Sequence, residues 1–402
     1  MATKAKAQQK ETAESDPKTT KVTPRLTREE LKAFTQELFG DFLHAKRIDS
    51  ISNATTGVLH AASLAIHAIG ASYAAVTAGQ TKHGIKQVDR LLSNAGFWPW
   101  QLFDPWVRFL LAQRDSIVVA MDWTEFEPDQ HSTLCIYLIT SHGRATPLVW
   151  RTVDSSTLKG KRNDYEYELV ERLHEILPPH VAVTILADRG FGAQKLYAHL
   201  AVLGWDYVIR FRENILVEDS TGKSAAAAQW VGNGRAKMLR GAKVTEERAT
   251  VPAVVLAHDK RMKQAWCLAT SLESATASEV VALYGKRFTI EETFRDQKDN
   301  HFGLGLHSTH IGDERRRDRL LFLAAMSQAM LTLLGAASEQ SGLDRTLKAN
   351  TSKKRTMSLL RQGQYWFMAM PNMRPEWFER LFSAFDQIVS SHAECMEIFG
   401  II

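Results

Sequence analysis

The chain has 402 residues, of which 45% are hydrophobic and 24% are charged, and it carries a formal net charge of +5. This length allows two or three domains, and the mildly basic balance favours a polyanionic partner without requiring one. Three widely separated cysteines provide neither a disulfide framework nor a CxxC metal site, and they indicate a reducing compartment.

The first 25 residues are polar and rich in lysine, threonine, alanine and glutamine, which predicts a disordered basic tail. They lack the apolar core of a signal peptide, so we expect a cytoplasmic protein. After the tail, Thr27 and Glu30 have the spacing of a capping box, and Leu26 and Leu31 are placed as a hydrophobic staple. We therefore expect a helix to begin there and to open a helical domain over residues 26–114.

A short basic helix is the most informative part of this helical domain. Apolar residues recur at helical spacing along one side of residues 84–93. The polar side chains around it that could contact DNA are Lys82, Lys86, Gln87 and Arg90. Because arginine and glutamine can read guanine and adenine in the major groove, the segment predicts either a DNA-reading helix or an ordinary surface helix.

From Ser116 onward the pattern becomes that of an α/β domain, which we expect to extend over residues 115–338. The pattern predicts strands at 116–122, 132–140, 145–153, 181–187 and 205–212, and helices at 165–177, 193–203 and 277–300. Asp122 and Asp188 each come at the end of an apolar, β-branched strand. The stretch 213–276 has β-like runs and turn signals, and it is too long for a bare loop, so it predicts an inserted β subdomain.

Residues 284–298 read YGKRFTIEETFRDQK. On one continuous helix, Tyr284, Arg287, Glu291 and Lys298 would fall within an arc of about 60°. An ordinary surface helix with an (i, i+4) ion pair would account for Arg287 and Glu291 but not for the other two. Two strands ending in Asp and a helix carrying Glu can gather three carboxylates at one end of a sheet. Such a cluster repels itself unless cations neutralise it, and two divalent ions are a frequent solution in phosphodiester chemistry.

Asp122, Asp188 and Glu291, with Tyr-x2-Arg-x3-Glu-x6-Lys around the last, resemble the bacterial insertion-sequence DDE transposases of the YREK-signature (insertion-sequence-four) family. The resemblance implies an RNase H-like catalytic core and two Mg²⁺ ions on the three acids, with Mn²⁺ as a substitute. It also implies cut-and-paste movement of a DNA element through hairpin ends. The implied partners are double-stranded DNA, as terminal inverted repeats and as target, and a second copy of the chain in the DNA-bound complex.

The resemblance also suggests roles for residues around the acids. Tyr284, Arg287 and Lys298 are expected to hold phosphates next to the scissile bond. Trp266 is the best match for an aromatic residue that receives a flipped base at the transposon end, and a core position is the alternative. Arg189 is expected to touch phosphate or to take part in an ion pair. In the family, the region of the basic helix belongs to the DNA-end-binding domain, which favours the DNA-reading interpretation.

The remainder of the chain is predicted to be helical. The longest apolar run, 320–334, contains Ser327 and Gln328 and is shorter than about 20 residues, so it predicts a buried helix and no membrane span. The C-terminal region, 339–402, ends in a predicted helix at 375–398 whose apolar surface favours dimerisation and internal packing equally.

Two other functions would use many of the same residues. One is a non-catalytic, transposase-derived DNA-binding protein or repressor, and the presence of all three acids argues against it. The other is an RNase H-like nuclease, which would share the three carboxylates. Only the joining of a DNA end to a second duplex separates the nuclease from the transposase.

Overall fold

The computed structural model describes residues 26–111, 114–232, 234–245, 248–260, 262–301, 303–391 and 398–399. The predicted disordered tail, 1–25, lies outside the described residues. A helical unit comes first, then a large mixed sheet with helices, then further helices. This order agrees with the α/β organisation expected from the sequence.

The N-terminal unit consists of helices only, as the sequence predicts. Its helices are α1 (Arg28–Phe39), α2 (Ala45–Ala61), α3 (Ile66–Val76), α4 (Thr81–Leu92) and α5 (Pro99–Leu111). The predicted capping box is confirmed, because the Thr27 side chain accepts from the Glu30 backbone and the Glu30 carboxylate accepts from the Thr27 N–H at 2.9 Å. Leu26 and Leu31 are both buried beside this helix start.

The centre of the molecule is one ten-stranded sheet. Its strands are β1 (Ser116–Phe126), β2 (His131–Leu138), β3 (Thr146–Asp154), β4 (Ala182–Ala187), β5 (Asp206–Phe211), β6 (Leu216–Glu218), β7 (Ser224–Ala226), β8 (Lys237–Val244), β9 (Ala249–Ala257) and β10 (Trp266–Thr270). They lie in the order β3-β2-β1-β4-β5-β10-β9-β8-β6-β7. Strands β1, β4 and β5 are parallel neighbours, whereas β2 and β3 pair antiparallel.

Two helices make the crossovers between the parallel strands. They are α6 (Arg162–Ile176), between β3 and β4, and α7 (Gln194–Val202), between β4 and β5. The order of strands and helices predicted for 116–212 is therefore confirmed. Because β1 and β4 run parallel, their carboxyl ends meet at the same edge of the sheet, which brings Asp122 and Asp188 to one place.

The first strand is longer than the sequence analysis predicted. We expected β1 to end at Asp122, but it continues to Phe126 because β2 goes on pairing with it, with Asp122 opposite Cys135. The parallel pairing with β4 stops at Met121, one residue earlier. Asp122 therefore pairs with β2 on one side of β1, but it lies beyond the last residue that pairs with β4 on the other side.

The insertion at 213–276 extends the same sheet. Strand β10 pairs with β5, and β9, β8, β6 and β7 follow outward, with the short helix α8 (Ala227–Trp230) at the far edge. The prediction of β structure there is confirmed. Its strands are hydrogen-bonded in series to the central strands, so an independent subdomain stays a prediction.

Helices complete the structure on the C-terminal side. They are α9 (Ala277–Gly285), α10 (Thr289–Lys298), α11 (Glu314–Gln340), α12 (Leu359–Ala369) and α13 (Pro375–Ser390). Helix α11 is long and apolar enough by composition to cross a membrane, but its most apolar part is fully buried inside the protein. The apolar side of α13 is also buried, so internal packing accounts for the side chains that suggested dimerisation.

Candidate active site

Three carboxylates meet near the carboxyl ends of β1 and β4. Asp122 comes from β1, Asp188 directly follows β4, and Glu291 lies in the first turn of α10. Burial raises the pKa of Asp122 to about 6; Arg287 opposes this rise, and the charges of Asp188 and Glu291 add to it. The three predicted acids are thus close enough to feel one another electrostatically.

Backbone groups orient two of these carboxylates. Asp188 accepts a hydrogen bond from the N–H of Gly190 at 2.7 Å, in the turn after β4. Asp122 accepts one from the N–H of Trp123 at 2.9 Å. Both contacts stabilise a defined side-chain position, and each leaves carboxylate oxygens free to accept a further partner.

Arg287 lies between two of the acids and connects them. Its guanidinium donates to Asp122 Oδ2 at 3.0 Å and to Glu291 Oε1 at 2.6 Å. Arg287 itself is only 5% exposed. The (i, i+4) ion pair is therefore present, but its arginine is buried and also contacts Asp122 of β1, unlike an ion pair on an ordinary surface helix.

The helix predicted over 277–300 is interrupted, which corrects the arrangement inferred from the sequence. Helix α9 ends at Gly285, a tighter 3₁₀ turn covers 286–288, and α10 begins at Thr289. Glycine lowers helix propensity, and a 3₁₀ turn has 3.0 residues per turn. The angular calculation for one continuous helix therefore fails across the break. Arg287 lies in this tighter turn, and its side chain is buried.

Tyr284 and Lys298 lie at the two ends of this arrangement. Tyr284 is 1% exposed, with the Arg287 guanidinium over its ring at 5.8 Å, and burial raises its pKa. Lys298 donates to the Glu125 carbonyl at 2.6 Å and lies over the Phe126 ring. Lys298 thus contacts the end of β1 beyond Asp122, whereas Tyr284 lies against Arg287 and Trp266; their contacts with phosphate stay predictions.

Trp266 occupies the edge of a wide cavity next to Arg287. Its ring meets Tyr284 edge-on at 4.9 Å and stacks on Phe288 at 5.9 Å. The cavity has a volume of about 850 Å³, and its lining includes Arg210, His258, Lys263 and Gln264 besides the rings of Trp266 and Phe288. Trp266 is thus half-buried at a cavity wall, between the two positions that the sequence left open.

The other predicted DNA contacts are spread over two surfaces. Arg189 is exposed after β4 and lies at hydrogen-bonding distance from Gln264. On α4, Lys82, Lys86 and Arg90 are exposed and Gln87 is half-buried. Three of these residues, Lys86, Gln87 and Arg90, line a second open cavity of about 530 Å³ with Ser50, His83, Leu91 and Asn94.

Helix α4 is held in place by close packing and by an ion pair. A Cβ on Gly84 would lie 2.2 Å from the Gly70 carbonyl of α3, so α3 and α4 approach more closely than larger residues would allow. Arg316, at the start of α11, donates to Asp89 of α4 at 2.7 Å. The basic surface of α4 is thereby tied to the long helix that packs against the sheet.

Glu166 is a residue near the acids that the sequence analysis missed. It is 2% exposed on α6 and accepts a hydrogen bond from the indole N–H of Trp123 at 3.0 Å. Burial raises its pKa to about 7, and the charge of Asp188 contributes. The sequence feature that could have identified Glu166 is its helical spacing from the apolar residues Leu169 and Leu173. This spacing places the carboxylate on the side of α6 that faces the core.

The donor chemistry of the three acids suits Mg²⁺, which prefers carboxylate oxygens. In the parts of the chain that the structure describes, no three His, Cys, Asp or Glu groups lie close enough to hold a metal ion. At this site the Arg287 guanidinium contacts both Asp122 and Glu291. The residues fit a divalent cation by chemistry, and their present arrangement is neutralised by Arg287.

Comparison with known proteins agrees with this geometry. The family model described as a transposase DDE domain matches residues 152–328, which contain Asp188 and Glu291. The match supports a DDE transposase, a class of domain that generally uses divalent metals, and the mixed α/β structure is compatible with an RNase H-like DDE domain. No curated protein matches the chain.

Proposed function

We propose that this DDE-domain protein is a cut-and-paste DNA transposase of the YREK-signature family. It binds terminal inverted repeats, cleaves the element ends through hairpin intermediates and joins them to target DNA. The observation that carries the proposal is the bridge from Arg287 to Asp122 and Glu291. It joins the helix with the YREK spacing to the acid of β1, which lies outside the matched segment 152–328.

Asp122, Asp188 and Glu291 would hold two Mg²⁺ ions, or Mn²⁺ in their place. Bound there, the ions would activate water or a DNA 3′-OH and stabilise the leaving oxygen. Arg287 neutralises the largely buried carboxylate of Asp122 and the half-exposed carboxylate of Glu291. Its guanidinium donors would suit a phosphate of the bound DNA if bound cations neutralised these acids instead.

Lys298 and Arg189 are suited to hold the DNA on either side of the acids. Lys298 donates to a neutral carbonyl, that of Glu125, and a phosphate oxygen is a stronger acceptor for an ammonium group. Arg189 is exposed immediately after Asp188. Tyr284 lies behind Arg287, so its contribution is to support the guanidinium from below.

Trp266 is proposed to receive a base extruded from the element end. Two features support this role: its ring borders an open cavity of about 850 Å³, and Phe288 stacks beside it. Stacking of a base on an aromatic ring contributes about 1 to 3 kcal/mol. That free energy offsets part of the cost of unstacking the base in a strained DNA end.

The element end would extend from this site to α4. The exposed cations of α4 can contact phosphates, while Gln87 and Arg90 can reach base edges in the major groove. We further propose a homodimer in the DNA-bound complex and a cytoplasmic protein that associates with the nucleoid. Tyr365 and Met368, which are 50% and 65% exposed on α12, offer apolar surface for the dimer contact.

The test is incubation with a labelled duplex that carries the element's own terminal repeat, with Mg²⁺ or with EDTA, analysed on a denaturing gel. We expect metal-dependent nicking at the repeat edge, then a hairpin and a joined product. Glu291→Gln should abolish cleavage and leave end binding within about threefold, because it removes one charge of the cluster. Specific retention with no cut strand in the native protein would favour the DNA-binding alternative, and cutting without joining would favour the nuclease.

A matched control lies next to Glu291 on the same helix. Glu292 pairs with Arg295 at 2.9 Å and lies 3.7 Å from Arg144, away from the three acids. Glu292→Gln removes the same charge from α10 without touching the site. Cleavage should therefore survive in Glu292→Gln, and its loss there would show that any charge change in α10 disables the protein.

A further inference from the structure

An exposed basic segment lies between β3 and α6, and neither the family match nor the site residues above assign it a role. Lys159, Lys161 and Arg162 are all exposed, and residues 159–164 hold these three cations and one acid, Asp164. In the described part of the chain, neither Lys159 nor Lys161 forms an ion pair with a carboxylate. The two lysines are therefore positive charges that no carboxylate in the described part of the chain neutralises.

The segment lies on the opposite face of the sheet from α10. Asp122 and Trp123 are consecutive in β1, so their side chains point to opposite faces. Asp122 meets Arg287 on one face, whereas the Trp123 indole meets Glu166 of α6 on the other. Helix α6 therefore contacts the residue that directly follows Asp122 in β1, on the other side of the strand.

The contact between α6 and Trp123 positions Arg162 but leaves its guanidinium partly exposed. Its guanidinium lies over the Trp123 ring at 5.0 Å from the ring centre, and its Nε is 3.6 Å from Glu166 Oε1. That separation is too long for a hydrogen bond. The side chain is 46% exposed. Stacking fixes the plane of the guanidinium, and its N–H donors remain available to an anion outside the protein.

We propose that Lys159, Lys161 and Arg162 bind the phosphate backbone of the duplex that receives the cut element end. This inference rests on the proposed transposase function. The element end is assigned to the face that carries Arg287, Lys298 and Trp266. A second duplex must reach the same acids for joining, and the opposite face presents these three exposed cations, of which Arg162 lies over the ring of Trp123, the residue that follows Asp122 in β1.

The segment is suited to phosphates and not to base reading. Two lysines act as flexible point charges, and one arginine supplies a fixed fork of donors. Contacts of this kind release counterions and do not distinguish sequences. The receiving duplex should therefore be bound without strong sequence preference at these three positions.

The experiment separates joining from cleavage in the full chain. Joining is measured with a pre-cut labelled end and a supercoiled plasmid, and cleavage with an uncut end. We expect Lys159→Ala with Lys161→Ala to lower joining by about tenfold or more and to change cleavage by less than about threefold, because each phosphate contact adds to affinity for the plasmid. The logarithmic salt dependence of joining should also become shallower by about 0.9 for each contact removed.

Two further variants keep the outcome interpretable. Lys353→Ala with Lys354→Ala removes equal charge from another exposed stretch and should leave joining unchanged. Arg162→Lys retains the charge but loses the planar donors, so it should lower joining less than Arg162→Ala does. Equal loss of cleavage and joining in the 159/161 variant, or no loss of either, would overturn the inference. Failure of the native chain to join DNA at all would instead overturn the proposed function.

Discussion

Replacement of Asp122 by asparagine should stabilise the metal-free protein while it destroys activity. The pKa of Asp122 is raised from 3.8 to about 6, chiefly by burial, against the opposing attraction of Arg287. A rise of this size means that ionised Asp122 costs the folded state about 3 kcal/mol relative to the neutral acid. Asparagine resembles the neutral acid in shape and charge, so the variant avoids this cost.

The gain should depend on pH in a defined direction. The folded protein holds the Asp122 proton more tightly than the unfolded chain, so stability falls as the pH rises from about 4 to about 6. The full cost is present above pH 6 and absent below pH 4. Asp122→Asn should therefore raise the melting temperature at pH 8 by up to about 4 °C for a chain of this size and should leave it unchanged at pH 4.

The assay is thermal unfolding followed by fluorescence at both pH values without divalent ions. Asp154→Asn is the control, because hydrogen bonds from Ser156 lower the pKa of Asp154 and its ionised form is the favoured one. That variant should gain no stability at pH 8. An Asp122→Asn protein that melts at or below the native temperature at pH 8, or gains equally at pH 4, would refute the reasoning.

Three other predictions concern the same site. Mg²⁺ should raise the melting temperature at pH 8 more than at pH 5, because protonation of Asp122 competes with the cation, and the difference should vanish in Glu291→Gln; an equal rise at both pH values would contradict this. Arg287→Gln should lower end cleavage by about a hundredfold, and Arg287→Lys should not restore it, since one ammonium cannot span both carboxylates; a native cleavage rate in the lysine variant would exclude the bridging role. Trp266→Ala should reduce the fluorescence change of 2-aminopurine at the element end, with Trp98→Ala, an exposed tryptophan in the loop before α5, as the unaffected control.

The sequence indicated the elements of the core because their patterns are local. Apolar β-branched runs before Asp122 and Asp188 correspond to β1 and β4, and the capping box of Thr27 and Glu30 is present at the start of α1. The spacing around Glu291 also indicated Arg287, which contacts both Glu291 and Asp122. These features can be read from the sequence because each depends on a few neighbouring residues and on the side of the element that faces the core.

The sequence could not show where partners from distant segments would meet. The contact of Arg287 with Asp122 joins the turn after α9 to β1, which lies 165 residues earlier in the chain. The extension of β1 beyond Asp122 depends on pairing with β2. Likewise, Glu166 became part of the site only because α6 lies against Trp123. All three depend on tertiary contacts that no local pattern encodes.

Helix α11 has a mechanical consequence for how the DNA would be cut. In its first turn, Arg316 donates a hydrogen bond to Asp89 of α4. Two residues later, the Asp318 carbonyl accepts a hydrogen bond from the indole N–H of Trp150 in β3. The start of α11 therefore contacts both the helix that would read the element end and the sheet that carries the acids. A rigid connection of this kind would place the cut at a fixed distance from the bases that are read. If base pairs were inserted between the recognised bases and the end of the repeat, the cut would stay at the same distance from the recognised bases. It would then no longer fall at the end of the repeat.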